Sequence, residues 1–291
     1  MLRVILVISM LFALNVRAQE DSSGAKDDDS NTYPSLADNK KHDRQANKLY
    51  RLKYAIDVPI VVAGGLWTNY AFSVIYKKKR TPEAVILGLD RNNIPAFDRW
   101  VTYNHNDKLD KVSYIPFYAV MPLPLVLLAD RRISRDAGRV GLLYLEAFAI
   151  TGVLYSGSAY FVDRFRPDVY RTDLTMDYRT NGNYRNSFFG GHIAVIATST
   201  FFVSKVYADY HPHSPWKWVF YGASAASTAA MGYMRLQAGK HFLSDVLLGA
   251  AVGIGSGILV PQVHKNLDNP RAWSLSPTYY QGPGLAFSYN F

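Results

Sequence analysis

The stretch RLQAGKHFLSD, residues 235–245, places Arg235 six residues before His241 and Asp245 four residues after it. If the chain is helical from Phe242 onward, the Asp245 carboxylate can bind one nitrogen of the His241 imidazole and leave the other nitrogen free. An imidazole held in this way is a candidate nucleophile, and an arginine suits an anionic ligand. Alone, this spacing is more typical of a buried histidine beside a helix start, so its meaning depends on the rest of the chain.

Six apolar segments in the same chain predict an all-α fold, because each is long enough for a helix of a dozen residues or more. They cover residues 55–76, 112–129, 139–162, 191–208, 216–234 and 243–263. The last two segments are rich in Gly, Ala and Ser, whose small side chains let membrane helices pack closely. We predict a six-helix bundle embedded in a membrane. A soluble bundle of very apolar helices is the alternative, since the mean hydropathy is only −0.07.

Composition narrows the classes of function. The 291 residues include no cysteine, which excludes a disulfide framework, a thiolate nucleophile and a cysteine-ligated metal site. The formal net charge is +9, and positive residues cluster where apolar segments end, as at residues 77–80 and 131–132. That arrangement is typical of membrane flanks, and a basic surface also attracts phosphates. We therefore expect contact with a membrane, no nucleic-acid partner and no particular protein partner.

Domain organisation follows from shifts in composition along the chain. Residues 1–18 combine a short positive start, an apolar run and a small residue at the cleavage position, which predicts a secretory signal peptide. An uncleaved anchor helix is the alternative. Residues 19–48 are rich in Asp, Ser, Asn and Lys and predict a disordered linker. The main domain is expected over residues 49–265, and the tail, residues 266–291, ends in an alternating pattern that fits one strand.

Two further clusters lie upstream of the opening stretch, each at the end of a predicted helix. Arg164 and Arg166 follow the third apolar segment, and the guanidinium fork suits phosphate oxygens. Gly190 and Gly191 precede the fourth segment, so their amide groups, together with His192 in the first helical turn, can face an anion. Each cluster alone also fits a helix cap. Together with the opening stretch they indicate a single phosphate site.

With these residues in place, the sequence resembles the phosphatidic acid phosphatase type 2 superfamily, which also contains bacterial non-specific acid phosphatases and vanadium-dependent haloperoxidases. The signature of that superfamily is Lys-x6-Arg-Pro, Pro-Ser-Gly-His and Ser-Arg-x5-His-x3-Asp. Arg166 and the proline after it match the end of the first motif, and Gly191 with His192 match the end of the second. Residues 235–245 match the third motif with every gap correct. The resemblance covers about residues 50–265 and implies a helical bundle of this family's type.

Four positions depart from the family pattern, and at one of them Phe189 replaces a proline. Ala159 stands where the family has its lysine, and Gly190 and Met234 stand where it has serines. One charge and two hydroxyl groups are therefore missing from the expected cradle, and each lost hydrogen bond to a charged ligand costs about 1.5–3 kcal/mol. We expect Arg164 and Lys240 to restore positive charge, and the Gly190 N–H to donate still to the anion.

The resemblance also implies a phosphohistidine mechanism that needs no metal and no cofactor. His241 would attack phosphorus while Asp245 holds its imidazole and stabilises the charge that forms. His192 would protonate the leaving oxygen and then accept a proton from the hydrolytic water. Arg166 and Arg235 would neutralise the equatorial oxygens of the transition state.

The expected function is hydrolysis of a phosphomonoester or pyrophosphate of a membrane lipid. We expect an integral membrane protein of a bacterial cell envelope with its site facing the periplasm; a soluble periplasmic protein is the alternative. A vanadium haloperoxidase is a second enzyme hypothesis, although those enzymes rely on the lysine that Ala159 replaces. A third hypothesis is a catalytically weak or inactive lipid-binding scaffold. Retention of His192, His241 and Asp245 argues against such decay.

The remaining histidines do not indicate a competing site. His211 and His213 lie in a loop with only Asp209 nearby, and His105 and His264 stand alone among polar residues. A metal site needs several ligands brought together, and no local spacing here supplies them. We therefore expect no metal site in the chain.

Overall fold

The computed structural model describes residues 48–266 and the backbone of two later strands, Trp273–Tyr279 and Pro283–Tyr289. The predicted signal peptide and all but the last residue of the predicted linker lie outside the described residues. Between residues 48 and 266 the chain is built from helices and their connections, which confirms the predicted all-α class.

Six long helices form the described bundle. They are α1 (Tyr54–Ile75), α2 (Asp107–Ala119), α3 (Ala137–Phe161), α4 (Gly191–Tyr210), α5 (Trp216–Gln237) and α6 (Leu243–Val263). Each coincides with one of the six apolar segments of the sequence. The second segment is interrupted, because α2 ends at Ala119 and the chain continues as a 3-10 helix over Leu123–Ala129. Pro122 and Pro124 lack the N–H that an α-helix needs at this point.

Shorter helices occupy the connections, so the predicted number of six describes only the long helices. The short α-helices are Glu83–Leu87, Ala96–Arg99, Arg131–Ser134 and Met176–Arg179. Further 3-10 helices are Arg91–Asn93, Trp100–Tyr103, Pro167–Tyr170 and Gly182–Arg185. Most of them lie between α1 and α2 or between α3 and α4, where they fold back over one end of the bundle.

The C-terminal tail contains a hairpin in place of the one strand expected. Strand β1 (Trp273–Tyr279) pairs antiparallel with β2 (Pro283–Tyr289), with Trp273 opposite Tyr289. Residues 273–279 also alternate apolar and polar side chains, which is the period of a strand. A three-residue connection therefore suffices to pair the two segments.

Helix α4 is the centre of the bundle, with 13 of its 20 residues buried. It packs against α3, α5 and α6. The contact with α6 is close because glycines of α6 face the backbone of α4. A Cβ atom at Gly253 would lie 2.3 Å from the Ala194 carbonyl oxygen, and one at Gly249 would lie 2.5 Å from the Gly190 oxygen. The predicted close packing through small residues is confirmed at this contact.

In the part of the chain that the structure describes, four helical segments are long and apolar enough to cross a membrane: Tyr54–Ile75, Asp107–Ala129, Ala137–Phe161 and Leu243–Val263. Large apolar side chains on all four point away from the protein. The most exposed on each are Leu66, Ile115, Phe161 and Val263, which are 64–75% exposed. Such side chains are stable when lipid surrounds them, so the chain is an integral membrane protein.

Candidate active site

The three sequence clusters meet at one end of the bundle. Helices α3 and α5 end there, and α4 and α6 begin there. Backbone hydrogen bonds join the clusters: the Gly190 N–H donates to the Asp245 carbonyl over 2.9 Å, and the Ser187 N–H donates to the Arg164 carbonyl over 3.1 Å. The helix ends are thereby fixed relative to one another before any ligand binds.

His241 is buried in this cluster and has a fixed tautomer. Its Nδ1 lies 2.7 Å from the Ser187 carbonyl oxygen. Because a carbonyl only accepts, Nδ1 carries the proton and the lone pair of the ring is on Nε2. Burial lowers the pKa of His241 well below its usual range, and the positive charges of Arg235 and Arg166 lower it further. The imidazole is therefore neutral at physiological pH, as a nucleophile must be.

Asp245 does not contact His241 as predicted. Its carboxylate accepts from the Ser187 hydroxyl over 2.6 Å and from the Phe242 N–H over 2.9 Å, and it pairs with Arg164. The reason is that α6 begins only at Leu243, and Phe242 is extended at the N-cap. His241 therefore precedes the helix, and the rule for residues four apart does not apply to it. Asp245 instead fixes Ser187, whose carbonyl orients His241.

His192 lies in the first turn of α4 with a free ring nitrogen. Its Nε2 is buried and has no hydrogen-bond partner among the described residues. The ring packs between Tyr114, at a centroid distance of 4.8 Å, and Phe117, at 4.4 Å. Its charge neighbours are Arg235 and Arg166, the same two that act on His241. A second imidazole nitrogen is therefore available to a ligand at this site.

Arg235 and Arg166 supply the positive side of the site. Arg235 is 1% exposed and donates to Asp110 over 2.6 Å and to Ser113 over 2.9 Å. Arg166 stacks over the Tyr184 ring at 5.5 Å. Within residues 48–266 the Nε atoms of both arginines are buried without a partner. Unpaired buried donors of this kind are costly unless an anion satisfies them.

Three groups that the sequence assigned to phosphate binding are engaged elsewhere. Arg164 binds Asp98 over 2.8 Å and also pairs with Asp245, so both edges of its guanidinium are occupied. Lys240 binds Asp168 over 2.9 Å and is 2% exposed. The Gly190 N–H donates to a carbonyl. The expectation that these groups restore the missing charge and hydrogen bonds is wrong in this structure, because buried carboxylates and backbone already bind them. Gly191 keeps its place in the open first turn of α4.

With this geometry established, comparison with known proteins shows what the chain is similar to. Residues 140–268, somewhat less than half of the chain, match the PAP2 superfamily. The resemblance drawn from the three motifs is thereby confirmed.

The chain is also similar to a curated protein and to two solved structures. The lipid A 1-phosphatase of Porphyromonas gingivalis is 33% identical over 155 residues, which make up 52% of this chain and 30% of the relative. The crystal structure of LpxE from Aquifex aeolicus is 22% identical, with a TM-score of 0.39, over 56% of this chain and 90% of that one. The first transmembrane PAP2-type phosphatidylglycerolphosphate phosphatase structure from Bacillus subtilis is 18% identical, with a TM-score of 0.41, over 69% of this chain and 94% of that one. The chain thus spans less than a third of the curated relative that it matches.

The missing lysine of the first PAP2 motif has a structural explanation. Ala159 is fully buried against Ala71 and Ile75 of α1, so a lysine at this position would have to displace that contact. Lys78 binds the Ala159 carbonyl over 2.8 Å, but its ammonium group also pairs with Asp163 over 2.7 Å. At this position an apolar contact between α1 and α3 therefore replaces the charged lysine of the family motif.

Several residues of the candidate site were missed in the sequence. Asp110 and Ser113 bind Arg235. The available signal was that these two polar residues are three apart on a helical turn that precedes an apolar run. The Tyr155 ring lies against Gly191, where an added Cβ would be 2.6 Å from the ring. Nothing local marks a tyrosine within an apolar helix as part of a site. Only the packing of α3 against α4 brings it there.

Proposed function

We propose that the protein is a membrane-bound phosphatase that hydrolyses a phosphomonoester or pyrophosphate of a lipid through a phosphohistidine intermediate. One observation carries the proposal: the neutral, buried His241 has its Nδ1–H fixed by a carbonyl, which leaves its lone pair on Nε2. A histidine in this state, beside two arginines with unpaired Nε groups, suits attack on an anionic phosphorus centre. The match of residues 140–268 to the PAP2 superfamily and the name of the curated relative support the same activity.

The proposed reaction has two steps. In the first, the Nε2 lone pair of His241 attacks phosphorus, the P–O bond to the lipid breaks, and His192 gives its proton to the leaving oxygen. In the second, His192 takes a proton from water, the water oxygen bonds to phosphorus and the N–P bond breaks, which releases inorganic phosphate. The negative charge of the bound phosphate favours the protonated form of His192 that the first step needs.

The arginines supply the electrostatic part of catalysis. Arg166 and Arg235 carry the positive charge that the equatorial oxygens require, and their partners Tyr184 and Asp110 hold them before substrate arrives. We propose that this pair makes a metal ion unnecessary at the phosphate. The first-turn amide of Gly191 adds a donor at the positive end of α4.

An apolar groove beside the site supports a lipid substrate. It has a volume of about 380 Å³ and is lined by α4, α5 and α6. Ile193, Leu236 and Val246 line it, and each is the immediate neighbour of a site residue in sequence. A groove that starts beside the phosphate and runs along α6, one of the segments able to cross a membrane, fits an acyl chain. We further propose a bacterial envelope location with the site facing the periplasm, in keeping with the export signal predicted at the N-terminus.

A lipid-binding scaffold is a second candidate, and one observation favours it. Arg164, Lys240 and the Gly190 N–H are all bound within the protein, so the cradle offers fewer groups to phosphate than the family signature implies. Such a protein would bind phospholipids without releasing phosphate.

Phosphate release from a defined panel separates the two candidates. Purified protein is assayed with phosphatidate, phosphatidylglycerophosphate, an isoprenyl pyrophosphate, lipid A and the water-soluble p-nitrophenyl phosphate. We expect release from at least one lipid, faster than from the soluble ester, and a loss of about 1,000-fold or more in His241→Ala. His213→Ala, in an exposed loop, is the matched control. Equal rates for wild type and His241→Ala would refute the assignment, and no release from any compound would favour the scaffold.

A further inference from the structure

A second polar cluster lies at the opposite end of the bundle from the phosphate site. Asp57 is in the first turn of α1, Glu146 is in α3, and His264 follows α6 directly. The Nε2 atom of His264 lies 3.4 Å from Asp57 Oδ1 and 3.5 Å from Glu146 Oε2. The cluster is about 28 Å along α6 from Asp245. The expectation that His264 stands alone is therefore wrong, because its neighbours are distant in sequence.

Two outward-facing atoms of this cluster, one on Asp57 and one on His264, are already bonded. Asp57 Oδ2 accepts from the Lys53 N–H over 2.7 Å, which leaves Oδ1 directed at His264. His264 Nδ1 lies 2.8 Å from the Val260 carbonyl, so Nδ1 carries the proton and Nε2 has the lone pair. Outer hydrogen bonds of this kind orient metal ligands in proteins and fix the histidine tautomer.

The Glu146 carboxylate is a second, independent indication that this cluster binds a ligand. Its Oε2 atom is buried and has no hydrogen-bond partner within the described part of the chain. The Glu146 side chain is 6% exposed and that of Asp57 is 4% exposed. Two buried carboxylates facing one imidazole leave uncompensated negative charge even when the imidazole is protonated. The separations of 3.4 and 3.5 Å also exceed a normal hydrogen bond, so a proton does not satisfy them.

The distances fit a metal ion. Bonds of about 2.0–2.1 Å in a tetrahedron place neighbouring ligand atoms about 3.3–3.4 Å apart. The three ligand atoms all lie within 4.8 Å of one another. We propose that Asp57, Glu146 and His264 bind one divalent transition metal ion of the Zn²⁺ class. The ion neutralises the two carboxylates and joins α1, α3 and α6 at this end of the bundle.

Metal titration of the full chain in detergent tests the site without using phosphate release. After chelation and removal of the chelator, we expect one equivalent of Zn²⁺ to bind per chain and Co²⁺ to give the visible absorption of a tetrahedral complex. We also expect Zn²⁺ to raise the Tm of the wild-type protein, since a ligand that binds only the folded state stabilises it. Glu146→Gln and His264→Ala should each weaken Zn²⁺ binding by more than about 100-fold and abolish the Tm increase.

Two controls separate this site from other histidines. His213→Ala, in an exposed loop, and His241→Ala, at the phosphate site, should each keep the single Zn²⁺ equivalent. Absence of saturable binding and of a Tm increase in the wild type would overturn the proposal, whatever the variants do. Binding that survives in both Glu146→Gln and His264→Ala would also overturn it and leave His264 as an ion-pair partner only. None of these readouts depends on the proposed phosphatase activity.

Discussion

At the scale of residues, the site is defined by how each histidine is held. The Nδ1–H of His241 is held by a backbone carbonyl, which can only accept a hydrogen bond. A carboxylate in that place could also take up a proton. Asp245 acts on His241 only indirectly. Its carboxylate accepts a hydrogen bond from the Ser187 hydroxyl, and the Ser187 carbonyl accepts one from His241. The sequence predicted that the three motifs meet, but it placed the Asp245 carboxylate on the imidazole of His241. That error arose because α6 was assumed to start one residue too early. Phe242 is the N-cap, so α6 begins only at Leu243 and His241 lies outside the helix.

The lowered pKa of His241 predicts the acid side of the pH profile. Protonated imidazole cannot attack phosphorus, and burial with two nearby arginines keeps His241 unprotonated below its usual pKa of 6.5. In a plot of kcat/KM against pH, which reports the free enzyme, we expect activity to persist below pH 6.5 and to fall only when the lowered pKa is reached. An acid limb at or above pH 6.5 would contradict this environment.

The contacts of Asp245 predict a large effect on stability. Asp245→Ala removes the partner of the Ser187 hydroxyl, the Phe242 N–H and one edge of Arg164. Loss of a partner from a buried ion pair should lower the free energy of unfolding by about 3 kcal/mol. Asp173→Ala is the matched control, because Asp173 pairs with Arg171 at the surface, where an ion pair contributes little to stability. Similar losses in denaturant titrations of both variants would refute the structural role of Asp245.

At the scale of elements, the positions of the helices could be predicted well from sequence. Apolar length located all six long helices, because burial in a bundle or in lipid requires continuous apolar faces. Pro122 and Pro124 signalled the interruption of the second segment. Whether a proline breaks a helix, however, depends on the residues that pack around it. The short helices that cover the site, such as Pro167–Tyr170 and Gly182–Arg185, have no apolar period that would reveal them.

The glycine face of α6 predicts which substitutions the bundle tolerates. Gly253→Ala would place a methyl group 2.3 Å from the Ala194 carbonyl oxygen and force α6 away from α4. We expect a loss of about 1–3 kcal/mol in the free energy of unfolding, measured in detergent. At Gly255 an added Cβ meets nothing within 4 Å, so Gly255→Ala should be neutral or should stabilise by up to about 1 kcal/mol. Equal effects of the two variants would contradict the proposed contact.

At the scale of the whole molecule, the bundle brings together groups that no local pattern connects. Motif spacing predicted the histidine and arginine pairs because each motif lies at a helix end, and helix ends of antiparallel neighbours meet. Asp110, Tyr155 and the Asp57–Glu146–His264 cluster depend on which helix packs against which. Arg164 and Lys240 pair with the buried carboxylates of Asp245 and Asp168, which are distant in sequence, so local pattern could not reveal that both stabilise the fold.

The central claim is that His241 forms a covalent bond to phosphorus, and trapping the intermediate tests it most directly. The panel lipid that releases phosphate fastest is prepared with ³²P in its phosphate, mixed with the protein and quenched in alkaline detergent, which preserves phosphohistidine. We expect label on the wild-type protein that is stable to alkali, is lost in acid and maps to His241, with none on His241→Ala. Label that remains on His241→Ala, or turnover by the wild type with no labelled protein at any time, would contradict the account.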